Sequence, residues 1–146
     1  MTEWKTRATD AARRLRRNAL AGGAMALLIL AVAPPTAGAH GFTGPLAWWL
    51  LLFFCLLPLA LSVHLLFDAA LFRLAASHEE ETTGLAAIDD VLARMGLRSR
   101  GGAPAPLDAR LAGCRRLIWK QRIALIVGGL LYAVLLLDTV DGAGLC

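Results

Sequence analysis

His64 and Asp68 are the residues of this chain whose types and spacing come closest to chemistry. Four positions apart on one helical face, an imidazole and a carboxylate can orient each other, as a proton relay or a His ligand to a metal or haem requires. Ser62 is close by on the same helix. Counted from Pro45 at 1.5 Å per residue, however, His64 lies about 28 Å along the helix, near the edge of a bilayer core roughly 30 Å thick. A polar tip reaches water cheaply there, so simple anchoring at the interface is the preferred reading of the pair.

The remaining ligand-type residues carry less. His78-Glu79-Glu80-Glu81 has the composition of a hard-cation site, but acids ahead of a loop also serve as a solvated cap or as partners for Arg110, Arg115 and Arg116, which is preferred. His40 follows the small-residue triplet Ala37-Gly38-Ala39 and would matter only if cleavage made it an amino-terminal copper ligand. Cys55, Cys114 and Cys146 fall in an apolar run, a polar stretch and the last position, which leaves them unable to pair with one another. No His or Cys pair has metal-ligand spacing, and no phosphate loop, nucleophile elbow or redox Cys pair occurs. The expectation is a protein without catalytic residues, bound metal or cofactor.

The elements that carry these residues follow from the distribution of charge. Of fifteen Lys and Arg, six lie in residues 1–17 and nine in residues 73–122. Asn18 to Phe67 contains no Asp, Glu, Lys or Arg, and neither does Ile123 to Leu137. Charge near the middle of a bilayer costs several kcal/mol, so such runs belong in lipid, and basic clusters remain on the cytoplasmic side of an inner membrane. With 58% hydrophobic residues in 146, the chain is too apolar for an ordinary soluble domain. The net charge of +4 is accounted for by anchors beside membrane segments, and no aromatic or Gly-rich motif accompanies it, so nucleic acid is not an expected partner.

The expected fold is all-α: an integral membrane protein with three transmembrane helices and a small cytoplasmic helical stalk or hairpin. Residues 1–17 form a basic amphipathic cytoplasmic N-terminus, with Trp4, Ala8, Ala11 and Leu15 on one stripe; it reads either as a helix on the anionic inner leaflet or as a basic tail. The first span covers 18–33 and is stopped by Pro34-Pro35. It resembles a secretory signal, but small residues four apart, Gly22 with Ala26, favour a retained helix. The second span covers 45–67, with Trp48 and Trp49 at the outer interface and a kink at Pro58, and should face more lipid than the others or a partner. Residues 68–117 form the cytoplasmic module. Within it a helix capped by Thr82 or Thr83 presents Leu85, Ile88, Leu92 and Met95 toward a stripe of Leu107, Leu111 and Ile118, across a Gly/Pro linker at 98–106. The third span covers 118–137, anchored inside by Trp119, Lys120 and Arg122; Ala124, Gly128, Gly129 and Ala133 give it close-packing faces toward the first. Residues 138–146 form a periplasmic tail.

This architecture points to a non-catalytic accessory or assembly subunit of a bacterial inner-membrane complex, whose partners are the lipid bilayer and other membrane-protein subunits or further copies of itself. The alternative, from a different class, is a small transport or proton-conducting homo-oligomer that uses His64 and Asp68.

Overall fold

Alanine, leucine and arginine, all good helix formers, dominate the first third of the chain, and nothing between Glu3 and Ala33 interrupts a helix. The computed structural model describes residues 3–37, 44–96 and 106–143. It shows four helices: α1 (Glu3–Thr36), α2 (Gly44–Ala76), α3 (Glu81–Arg94) and α4 (Leu107–Ala143). The described residues contain no strand. α1, α2 and the Leu107–Thr139 part of α4 are long and apolar enough to cross a membrane. The chain is therefore an all-helical, multi-pass membrane protein by composition and length.

The ends of α1 and α3 depart from the expectation, each for a local reason. α1 continues past Ala33 through Pro34 and Pro35 to Thr36. Proline's fixed φ is helix-compatible, and the turn is closed by Thr36 Oγ1 donating to Val32 O at 2.5 Å and Ala37 N to Ala33 O at 2.9 Å. α2 ends at Ala76, where Ser77 Oγ donates to Leu74 O (2.6 Å) and His78 Nδ1 lies 3.1 Å from the same oxygen, so His78 belongs to the terminus of this helix. α3 starts at Glu81 and not after Thr82 or Thr83. Glu80 is the extended N-cap residue, and its carbonyl accepts from Gly84 N at 3.0 Å, which draws both threonines into the first turn.

Two compact units are distinguished, one of residues 1–18 and 64–117, the other of 19–63 and 118–146. In the first, the basic stretch is helical from Glu3; of its expected stripe Ala8 and Leu15 are buried and Trp4 and Ala11 half-buried, with Ala12 buried beside them. Leu85 and Ile88 of α3 form a core with Leu71 and Ala75 of α2, and Trp4, Phe67, Val91 and Leu92 pack around it. This differs from the expected docking of α3 on the Leu107 stripe, and Met95 stays outside, 46% exposed. Gly84 explains the choice. A Cβ there would stand 2.7 Å from Ala75 O and 3.0 Å from the Trp4 ring, so only a glycine lets α3 come this close to α2. α4 meets α3 through a half-buried ion pair, Arg110 with Asp89, and meets α1 through Arg7 Nη2 and Asp108 Oδ1 at 2.7 Å.

In the second unit, Ala33, Ala37, Leu51, Cys55 and Leu135 are buried together, flanked by Ile29, Leu30, Ala47, Trp48, Leu131 and Tyr132. α2 lies against both neighbours. Its apolar window is 28% buried, equal to that of α1 and above the 17% of α4, so within the chain the bulkiest span is covered as much as α1. The reason is its inward face of Leu51, Cys55, Pro58 and Ser62, which the small residues of α1 and α4 accommodate.

Candidate functional site: a buried polar contact among the spans

Proline at position 58 removes one backbone donor from the middle of α2, which frees the carbonyl four residues earlier, at Phe54. In lipid an unsatisfied backbone group costs several kcal/mol, so neighbouring helices must supply partners. Close contacts from the neighbouring helices lie on both sides of the kink. Gly128 of α4 sits against the freed group: a Cβ there would stand only 3.4 Å from Phe54 O, so the absence of a side chain lets α4 pass close to it. One turn after the proline, Ser62 Oγ donates to Pro58 O at 2.8 Å. Gln121 of α4 reaches in to donate through Nε2 to Ser62 Oγ at 2.7 Å and to Pro58 O at 3.4 Å.

Ser62 and Gln121 are 5% and 2% exposed, and α1 closes over both of them. Gly23 approaches Ser62, with a built Cβ 3.2 Å from its hydroxyl, and a Cβ on Gly22 would overlap the Gln121 amide. Three helices thus converge on one neutral hydrogen-bonded group. At the other end of this unit a second polar contact joins α1 and α4, Thr36 Oγ1 and Tyr132 OH at 2.7 Å. The serine proton is directed to a carbonyl, so the hydroxyl is held as a donor between helices and not activated as a nucleophile.

Sequence reasoning missed Gln121, which reads as part of the Lys120–Arg122 boundary. The signal was present all the same. The stripe Leu107, Leu111, Cys114 and Ile118 extends by helical spacing to position 121, which puts the glutamine on the buried face. Of the small residues singled out, Gly22, Ala26, Ala124 and Gly128 are buried. Gly129 and Ala133 are not packed within the chain: nothing lies within 4 Å of a Cβ at Gly129, and Ala133 is exposed, because both sit on the side of α4 turned away from Gly128 and Ala124. Of the aromatic and basic anchors, Trp48 packs against the core, while Trp49 (72%) and Trp119 (65%) are exposed, as are Lys120 and Arg122.

His64 and Asp68 are not brought together by a hydrogen bond. His64 is exposed and makes none among the described residues, whereas the half-buried Asp68 carboxylate accepts from Cys114 Sγ at 3.5 Å. Burial first, and then the adjacent Asp68 charge, push the Cys114 thiol up to about 12. Glu79, Glu80 and Glu81 are exposed, and Arg110 pairs with Asp89 in their place because α3 carries Asp89 on the side that meets α4. No group of three or more His, Cys, Asp or Glu among the described residues could hold a metal ion. His40, Cys146 and the linker positions 98–105 lie outside the described residues.

Two outcomes are expected from this geometry. Gly22→Ala alone should lower thermal stability in detergent by about 1–3 kcal/mol through overlap with the Gln121 amide, and Gln121→Ala alone by about 0.6–2 kcal/mol. The double variant should be less destabilised than the sum, since the shortened side chain vacates the space the new methyl needs; strict additivity would show that the contact is not made. For Cys114, a folded-state value above its ordinary 9.0 means that the thiol stays protonated from pH 7 to 9. A maleimide should leave it unmodified over that range in permeabilised membranes and modify it once the protein is denatured; rapid labelling of the folded protein at pH 8 would contradict the burial. No protein-family model, curated protein or solved structure matches the chain, so its functional reading rests on this geometry.

Proposed function

We propose that the protein is a non-catalytic accessory or assembly subunit of a bacterial inner-membrane complex. The observation that carries the proposal is the Gln121–Ser62–Pro58 contact. The polar groups of the spans are used to hold the helices to one another, which makes the membrane part a fixed platform. Its outward surface is apolar, with Phe53 (59%) and Val63 (68%) on α2 and Ile126 (63%), Leu130 (62%) and Leu137 (65%) on α4. The open Gly129 and Ala133 positions on α4 would let a partner helix approach closely. A conducting oligomer needs polar groups along a lumen, and the outward face of α2 offers only His64 at its end, so the transport reading stays second.

Tagged full-length protein purified in mild detergent should retain a stoichiometric partner of different sequence. His64→Gln and Asp68→Asn should leave that association and membrane levels unchanged. A homogeneous ring of this chain alone, or loss of function in either variant at normal expression and partner binding, would put the transport reading first.

The proposed orientation places residues 1–17 and 68–122 in the cytoplasm and 34–44 and 138–146 in the periplasm. It is supported by the fifteen basic residues of the two inner segments against none in the outer ones. Ala86 is exposed on α3 and therefore suits a reporter cysteine. In intact cells an impermeant thiol reagent should modify Cys146 and spare Ala86→Cys, and the reverse pattern would invert the topology.

A further inference from the structure

The arginines of the first unit fall into two groups. Arg7, Arg94 and Arg110 each meet an aspartate, Asp108, Asp90 and Asp89. Arg13, Arg14, Arg16 and Arg17 of α1, Arg73 of α2, and Arg115 and Arg116 of α4 are exposed and make no ion pair among the described residues. Asp10, one turn from Arg13 and Arg14 on α1, is also exposed and pairs with none of them.

Six of these seven, those of α1 and α4, stand at matching heights. α1 and α4 both begin in the first unit and leave it at their C-terminal sides, so they run through it in the same direction. The Arg7–Asp108 bridge sets a common level. Arg13 to Arg17 lie six to ten residues beyond it on α1, and Arg115 and Arg116 seven and eight residues beyond it on α4. At 1.5 Å per residue both groups are about 9–15 Å along. On α1 the apolar surface starts immediately afterwards, at Leu20 (54% exposed), and is followed by Met25, Leu27 and Leu28.

We infer that these six arginines form a belt that binds the phosphate groups of anionic phospholipids at the edge of the bilayer. The inference rests on the proposed membrane location. Three features favour lipid over an acidic protein. The belt adjoins the apolar surface where a headgroup layer begins, and it spreads over two helices at one level, as a plane of phosphates requires. All six residues are arginine, whose guanidinium matches phosphate oxygens two at a time. The apolar stripe of the same stretch of α1 is already buried by protein, so attraction comes from the guanidinium groups and not from helix insertion.

The test uses full-length protein reconstituted into phosphatidylcholine bilayers with a trace of spin-labelled phosphatidylglycerol or spin-labelled phosphatidylcholine. The motionally restricted lipid beside the protein should be enriched roughly fivefold in the anionic label at low salt, as about one basic contact per lipid implies. Enrichment should fall toward unity near 1 M salt, where the screening length is about 3 Å. It should fall likewise in the variant Arg13→Gln, Arg14→Gln, Arg16→Gln, Arg17→Gln, and persist when the same four are changed to Lys. Equal association of both labels with the incorporated wild type overturns the belt and leaves the membrane reading standing. Preference that survives the four Gln substitutions, or ignores salt, also overturns it. Failure of the chain to incorporate into bilayers overturns the membrane reading and the belt with it. An acidic protein partner lost in the Gln variant, without any lipid preference, assigns the arginines to that partner.

Discussion

A peptide carbonyl in hydrocarbon has no water to turn to, and Pro58 creates one such carbonyl in the middle of α2. The tightest contacts in the apolar unit are grouped around that kink. Gly128 lacks a side chain where α4 passes the freed Phe54 oxygen, and Cys55 Sγ, also near that point, fills the space beside it. Below the kink, Ser62 and Gln121 converge on the Pro58 carbonyl, and the glutamine fits only because Gly22 leaves room for its amide. Removing any one of these features leaves the others poorly matched, which is why they are coupled and not merely adjacent.

The unit made of residues 1–18 and 64–117 is held together on different terms. Its core is small, built on Leu71, Ala75, Leu85 and Ile88, and the gaps between its helices are bridged by Trp4 Nε1 to Glu79 O (3.1 Å), Arg7 to Asp108 and Arg110 to Asp89. The first two involve exposed groups, and surface ion pairs contribute about 0–1 kcal/mol. Their value is more in register than in strength. Trp4 and Arg7 tie the start of α1 to the α2–α3 connection and to the start of α4, which fixes which face of α1 is buried and which is left to its arginines.

Charge was the most legible property of the sequence. Lysine and arginine confined to two stretches, with fifty uncharged residues between Asn18 and Phe67, give the spans directly, because the cost of a buried charge is large compared with any packing preference. What depends on contacts between helices was less legible. Thr82 and Thr83 have the chemistry of an N-cap, yet the extended residue ahead of the helix is Glu80, whose carbonyl accepts from Gly84 N, so both threonines fall within the first turn. Leu85 and Ile88 announce a buried face but not its partner, and Gly84 selects α2 by permitting an approach that any side chain would block. Gly129 and Ala133 have the same spacing as the packed small residues and still face outward, since spacing gives a face and not the direction in which it points.

Polar residues in a membrane helix are often read as marks of transport, and here their geometry argues otherwise. A conducting group must be able to exchange its hydrogen-bond partner for water or an ion. Ser62 has its proton on Pro58 O and receives one from Gln121, and the glutamine amide is enclosed by Gly22, so neither can exchange without separating two helices. Asp68 is engaged with Cys114, and His64, the one ionisable group that remains accessible at this level of α2, has no relay partner bonded to it among the described residues. That enclosure fits the proposed assembly role, in which helices already fixed to one another would present an apolar face with little conformational entropy left to lose when a partner docks.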